Sequence, residues 1–126
     1  MTATKADLAE MLHDAKARPC ADCGVRYPIH VMQLDHRPGS GKLFGVGDPL
    51  WGHPSPGLVE ATAALGSVEA AMRAEIAKCD AVCANCHAER TYQRRAELAR
   101  SRPPIRVNGC LTGEAYCRHG REWAER

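Results

Sequence analysis

Two short cysteine pairs constrain this chain more than any other feature. Cys20-Ala-Asp-Cys23 and Cys83-Ala-Asn-Cys86 each set two thiols on one tight turn. The two-residue gap lets both sulfurs of a turn point the same way. Four thiolates brought together close a tetrahedral zinc site with bonds of about 2.3 Å. Such a staple joins the two turns, so residues 24–82 must leave one and return to the other. The competing reading of a CxxC is a thioredoxin-like redox pair, but that needs a surrounding βαβ pattern, and neither pair has one. Cys79 reads as a small buried apolar residue at a helix end. Cys110, Cys117 and His119 offer three ligands without a tight turn, an incomplete second site.

The rest of the composition agrees with a fold that needs such help. In 126 residues there is one phenylalanine, Phe44, with two tryptophans and three tyrosines. A core with so few large side chains is thin, and metal is a common support for small domains. The net charge of +2 excludes a polybasic binder, but the charge is uneven. Residues 1–24 carry Lys5, Lys16 and Arg18 against four acids, whereas residues 87–106 carry six arginines against Glu89 and Glu97. That basic stretch suits either phosphate contact or a solvated helix face. The N-terminal stretch MTATKADLAEMLHDAKA has no apolar signal region, and no apolar run approaches the ~20 residues of a membrane span. A cytoplasmic protein without a membrane partner is expected, and there a cysteine pattern points to metal.

Periodicity predicts a helix over 4–17, capped by Thr4 and ended by Pro19, and a short strand over 29–35 with His36 at its end. Residues 37–57 are rich in glycine and proline and read as a loop with a brief strand at Lys42–Val46. The GSGK within it fails the Walker pattern, whose first glycine would fall at His36 and whose Ser/Thr would fall at Leu43. A second helix is predicted over 67–78, with Ser67 as N-cap and Val68, Met72 and Ile76 as its apolar stripe. A short strand at Asp80–Val82 and a helix over 87–100 follow. Three segments result: an N-terminal helix (1–18), a central domain (19–100) and a tail (101–126).

The order CxxC, LDH, CxNCH resembles the HNH endonucleases, the ββα-metal (His-Me finger) nucleases, in their zinc-stapled bacterial and phage form. The matching stretch runs from about Pro19 to Arg95 and reads PCADCG, YPIHVMQLDHRPGSGK and EIAKCDAVCANCHAERT. The resemblance implies an α+β fold: a small ββα-metal domain with a four-cysteine zinc staple and flanking helices. It implies structural Zn²⁺ on Cys20, Cys23, Cys83 and Cys86, a general base at His36, and a catalytic divalent ion on Asp35 and His87. The family's middle asparagine has no counterpart where this chain reads Lys78-Cys79-Asp80, and Asn85 is the nearby candidate for that orienting role. The family lays its last helix on DNA, which makes Arg90, Arg94 and Arg95, with Lys42, the candidate phosphate contacts.

The chemistry stands beside the resemblance. Phosphodiester hydrolysis needs an activated water, neutralised phosphate charge and a stabilised leaving oxygen. A neutral imidazole takes the proton from water near pH 7. One divalent ion on a carboxylate and an imidazole supplies the rest. An Asp/His pair accepts Mg²⁺, Mn²⁺ or Ni²⁺, with Mg²⁺ the first expectation. Alternation along the strand puts Asp35 and His36 on opposite faces unless the strand bends. Arg37 reads equally well as a plain surface charge, and His13, His30 and His53 as surface or packing residues. The expected activity is therefore endonucleolytic cleavage of double-stranded DNA, with a homodimer or a protein partner left open. The rivals are a non-catalytic zinc module that binds nucleic acid and an interaction protein in which zinc is only a staple.

Overall fold

The computed structural model describes residues 2–53 and 55–101, and the backbone of residues 106–107 and 110–111. In chain order the elements are α1 (Lys5–Lys16), β1 (Met32–His36), α2 (Asp48–Trp51), α3 (Pro56–Leu65), α4 (Val68–Ile76), β2 (Cys79–Cys83), α5 (Ala84–Ser101), β3 (Arg106–Val107) and β4 (Cys110–Leu111). Helices and an antiparallel strand pair make a small α+β fold. The chain divides into two compact units, Met1–Ala88 and Glu89–Arg126, with the division inside α5.

In the first unit, β1 and β2 pair antiparallel, from Met32 opposite Cys83 to His36 opposite Cys79. A two-stranded sheet is marginal alone and needs packing on a face. Here α1 and α4 supply it: Leu8, Leu12 and Met72 are buried together, with Leu34 of β1 against them. A second cluster sets Phe44 against Leu58 of α3 and Ala71 of α4. A third gathers Cys20, Met32, Val82 and Cys83 where the cysteine turns meet. Burying a Leu, Met or Phe side chain contributes roughly 1.5–3 kcal/mol, so three small clusters make a modest core.

Local chemistry explains the boundaries. Thr4 caps α1 through a reciprocal box with Asp7, whose backbone N–H donates to the Thr4 hydroxyl while its carboxylate accepts from the Thr4 N–H. Ser67 caps α4 as expected, accepting from the N–H of Ala70 at 3.0 Å. Gly24, at φ +73°, lets the first cysteine turn close, and the Ala21 N–H then donates to the Ala81 carbonyl of β2. The two turns are thus tied through backbone as well as through sulfur.

Several expectations require correction. No strand forms at Lys42–Val46; instead Asp48–Trp51 form α2, with Pro49 in its first turn. Ile29–Val31 form a 3₁₀ turn, and the strand starts only at Met32. The helix predicted from residue 87 already begins at Ala84, inside the second cysteine turn. The α3 helix was not anticipated. Its Ser55-Pro56-Gly57 start looks like loop chemistry but is an N-cap, a proline that needs no N–H, and a glycine of steric necessity. A Cβ on Gly57 would lie 1.9 Å from the Leu43 carbonyl oxygen.

The second unit holds α5 beyond Ala88 and the antiparallel pair β3–β4, which matches Arg106 with Leu111 and Val107 with Cys110. The proposed partial site at Cys110, Cys117 and His119 lies outside the described side chains. No helix among the described residues is long and apolar enough to cross a membrane.

Candidate functional site

The four thiols of Cys20, Cys23, Cys83 and Cys86 converge, with all four sulfurs within 4.8 Å of one another. Tetrahedral zinc–thiolate bonds of about 2.3 Å require sulfurs about 3.8 Å apart, so the cluster can hold a zinc ion with small adjustment. The backbone is arranged for anionic sulfur. The Cys83 N–H donates to Cys20 Sγ at 3.3 Å, and the Cys86 N–H donates to Cys83 Sγ at 3.4 Å. Burial opposes ionisation of Cys20, but N–H groups of Cys23, Cys83 and Asp22 outweigh it and bring the thiol down to about 6. Cys86 responds oppositely. Its hydrogen bond with Cys83, then burial and the other sulfurs, push it up to about 12. Four thiols this close hinder each other's ionisation, a conflict that a divalent cation removes.

Cys79 takes no part in the cluster. It stands half-buried at the start of β2, where burial and the nearby Glu75 carboxylate push its thiol up to about 11. Its sulfur donates to the Glu75 carbonyl at 3.5 Å.

The sheet delivers two further groups to the end of β1, one on each face. Pairing stays regular through His36, so the strand does not bend and alternation holds. Gln33 and Asp35 share one face, toward the first turn of α5. Asp35 is 5% exposed, and its Oδ1 lies 3.5 Å from Nε2 of His87. Nδ1 of His87 is hydrogen-bonded to Oε1 of Gln33. Gln33 and Asp35 thus flank the His87 ring, one at each nitrogen. A carboxylate oxygen and an imidazole nitrogen at this separation are a donor pair that one divalent cation could share. Holding the second imidazole nitrogen is how proteins orient a ligating histidine.

On the other face, Nε2 of His36 lies 2.8 Å from Oε1 of Glu75, a carboxylate on α4 that is 1% exposed. Glu75 is fully engaged. Its Oε1 also accepts from the Leu43 N–H at 2.9 Å, and its Oε2 from Lys78 Nζ at 2.7 Å. Lys78 in turn donates to the Gly41 carbonyl. Burial pushes the Glu75 carboxyl up, but the Lys78, Leu43 and His36 donors outweigh it and hold the group below its ordinary range.

The site residues named from sequence thus fall into separate sets. Asp35 and His87 meet, the four cysteines meet, and His36 points to the opposite face of β1. Asn85 lies exposed in the first turn of α5, and the group bonded to His36 is Glu75. Lys42 is exposed in the loop beside Leu43. Arg90, Arg94 and Arg95 lie on α5 in the second unit, with Arg95 exposed. Arg37 is more than a surface charge: it donates to the carbonyls of Ala77 and Cys79 and to Asp80, fastening the end of β1 to the α4–β2 connection.

Sequence reasoning missed Gln33, Glu75 and Lys78. Glu75 carried a signal, because it follows Val68, Ala71 and Met72 at the i+7 position of the α4 stripe, where an apolar residue is expected. A carboxylate there must be buried and must be satisfied. Gln33 carried a weaker one, standing two residues before Asp35 and therefore on its face. No protein-family model, curated protein or solved structure matches the chain.

Proposed function

We propose that this chain is a metal-dependent DNA endonuclease of the HNH type, hydrolysing phosphodiester bonds with His36 as general base. The observation that carries this reading is the Asp35–His87 pair. A buried carboxylate oxygen and an imidazole nitrogen lie 3.5 Å apart, and the other imidazole nitrogen is bonded to Gln33. The donor set fits a divalent ion, with Asp35 and His87 as the protein ligands and Mg²⁺, Mn²⁺ or Ni²⁺ as the candidates. Such an ion, when bound, supplies charge neutralisation at the phosphate and at the leaving oxygen.

The chain's own residues do the remainder. His36 donates Nε2–H to Glu75 and keeps Nδ1 as the atom that accepts a proton from water. In-line displacement sets the attacking and leaving oxygens on opposite sides of phosphorus. On this reading the scissile phosphate would have to lie past the end of β1, where His36 and the Asp35–His87 pair can both reach it. The four-cysteine cluster, as a zinc site, would fix the start of α5 against β1 and so set His87 relative to Asp35. Lys42, Arg90, Arg94 and Arg95 are the phosphate contacts of this reading, positioning DNA without reading its sequence.

Supercoiled plasmid tests it. Purified protein in EDTA, Mg²⁺, Mn²⁺ or Ni²⁺ is compared with His36→Ala. Metal-dependent nicking that is lost in the variant is the expected result. DNA binding that survives in His36→Ala, with no nicking by folded wild-type protein in any ion, would replace the nuclease with a binding module.

A further inference from the structure

We propose that Glu75 is the positioning residue of His36: its carboxylate fixes the imidazole as the Nε2–H tautomer and anchors the 41–43 loop to the same oxygen atoms. The inference rests on the reading of His36 as the base, and it assigns the group that holds that base. The observations are geometric. Oε1 of Glu75 takes both the His36 Nε2–H, at 2.8 Å, and the Leu43 N–H, at 2.9 Å. Oε2 takes Lys78 Nζ at 2.7 Å, and Lys78 reaches the Gly41 carbonyl at 2.9 Å. The loop that follows His36 is thereby held on both sides of one carboxylate, in fixed relation to the imidazole.

A purely structural role is the weaker explanation. Glu75 lies in the apolar stripe of α4, where burying an apolar residue costs nothing in desolvation, whereas a buried carboxylate is costly unless fully paired. Its partners include the one imidazole at the end of β1 that points toward α4. A carboxylate accepts only, so His36 cannot present a lone pair at Nε2 while this bond is made. Nδ1 is left as the proton acceptor. A carboxylate that orients an imidazole and stabilises it when it gains a proton is a recurrent device of general-base catalysis.

Two readouts test it, one of them independent of cleavage. Proton and nitrogen NMR of full-length, zinc-loaded protein should resolve a slowly exchanging imidazole Nε2–H, assigned by its loss in His36→Ala. Glu75→Ala should remove it, and the near-isosteric Glu75→Gln should move it upfield, because a neutral acceptor replaces a charged one. In the plasmid assay, Glu75→Ala should lower kcat about 10–100-fold with KM unchanged, and Glu75→Gln should recover part of that loss. An imidazole proton absent from wild type, or unshifted in Glu75→Gln, would overturn the proposal, as would wild-type kcat in both variants. Should Glu75→Ala not fold, Glu75→Gln decides. Should wild type cut no DNA, the nuclease reading fails, and the resonance alone still decides whether Glu75 holds His36.

Discussion

Cys83 is the residue whose loss should be felt most in the four-cysteine cluster, if that cluster holds zinc. It ends β2, is 2% exposed, pairs with Met32 across the sheet, and donates its N–H to Cys20 Sγ. Serine in its place removes one of four thiolate ligands. Zinc contributes about 10–16 kcal/mol to folding in small zinc domains, so one ligand's share is about 2.5–4 kcal/mol. The buried hydroxyl adds about 1–3 kcal/mol of desolvation if unsatisfied. The sum, about 4–7 kcal/mol, is set against a margin of ~0.05–0.15 kcal/mol per residue. Over Met1–Ala88 that margin is about 4–13 kcal/mol. Cys83→Ser should therefore lose from about a third to all of that margin. Exposed Cys23 provides the control. Cys23→Ser should lose only the ligand share and melt on the order of 10–30 °C lower, yet remain folded. Circular dichroism melts with and without chelator, beside zinc stoichiometry, make the measurement. A zinc-free Cys83→Ser protein that melts within a few degrees of wild type would refute the reasoning.

Three further outcomes are expected. Gly57→Ala should destabilise by about 1–3 kcal/mol or more, seen as a lower urea midpoint, because its Cβ would meet the Leu43 carbonyl oxygen at 1.9 Å and backbone cannot swing aside; a midpoint equal to wild type would contradict the close approach of α3 to the loop. On the proposed reading, Gln33→Ala should weaken divalent-ion binding at Asp35 and His87 about 10–100-fold by isothermal titration, without change at the four cysteines; unchanged affinity would remove Gln33 as the group that orients His87. Glu75 has a folded pKa held below its ordinary 4.5, so its contribution is present above 4.5 and is lost as pH falls through the lower folded value. The stability gap between wild type and Glu75→Gln should accordingly narrow in acid, and a gap independent of pH would count against the carboxylate network.

Much of the fold was legible because local chemistry and tertiary demand agree there. Thr4 and Ser67 announce their helices by capping, and the stripe of Val68, Met72 and Ile76 faces the core as its period requires. The region 42–65 was less legible. A short α2 built on Asp48-Pro49 and an α3 opened by Ser-Pro-Gly share their residue types with loops, and only packing selects the helices, Leu50 on Leu8, Leu12 and Met72 for α2, and Leu58 and Ala61 on Phe44 for α3. The strand start was misplaced for a similar reason, since Pro28 opens a 3₁₀ turn that alternation does not distinguish from extended chain.

The sequence by itself determined the cysteine framework, since two CxxC turns on a chain with a thin core leave few uses for four thiols. It also determined the adjacency of Asp35 and His36, and the opposite directions of their side chains in a regular strand. Only the tertiary structure decided which groups those side chains would meet. Pairing β1 with β2 across residues 37–78 sets Asp35 and Gln33 toward His87, and turns His36 toward α4. Glu75 and Lys78 become part of the site because packing α4 on the sheet buries a carboxylate that must find donors. The contacts of His36, Leu43 and His87 join residues 32–54 positions apart, a separation that local periodicity does not encode.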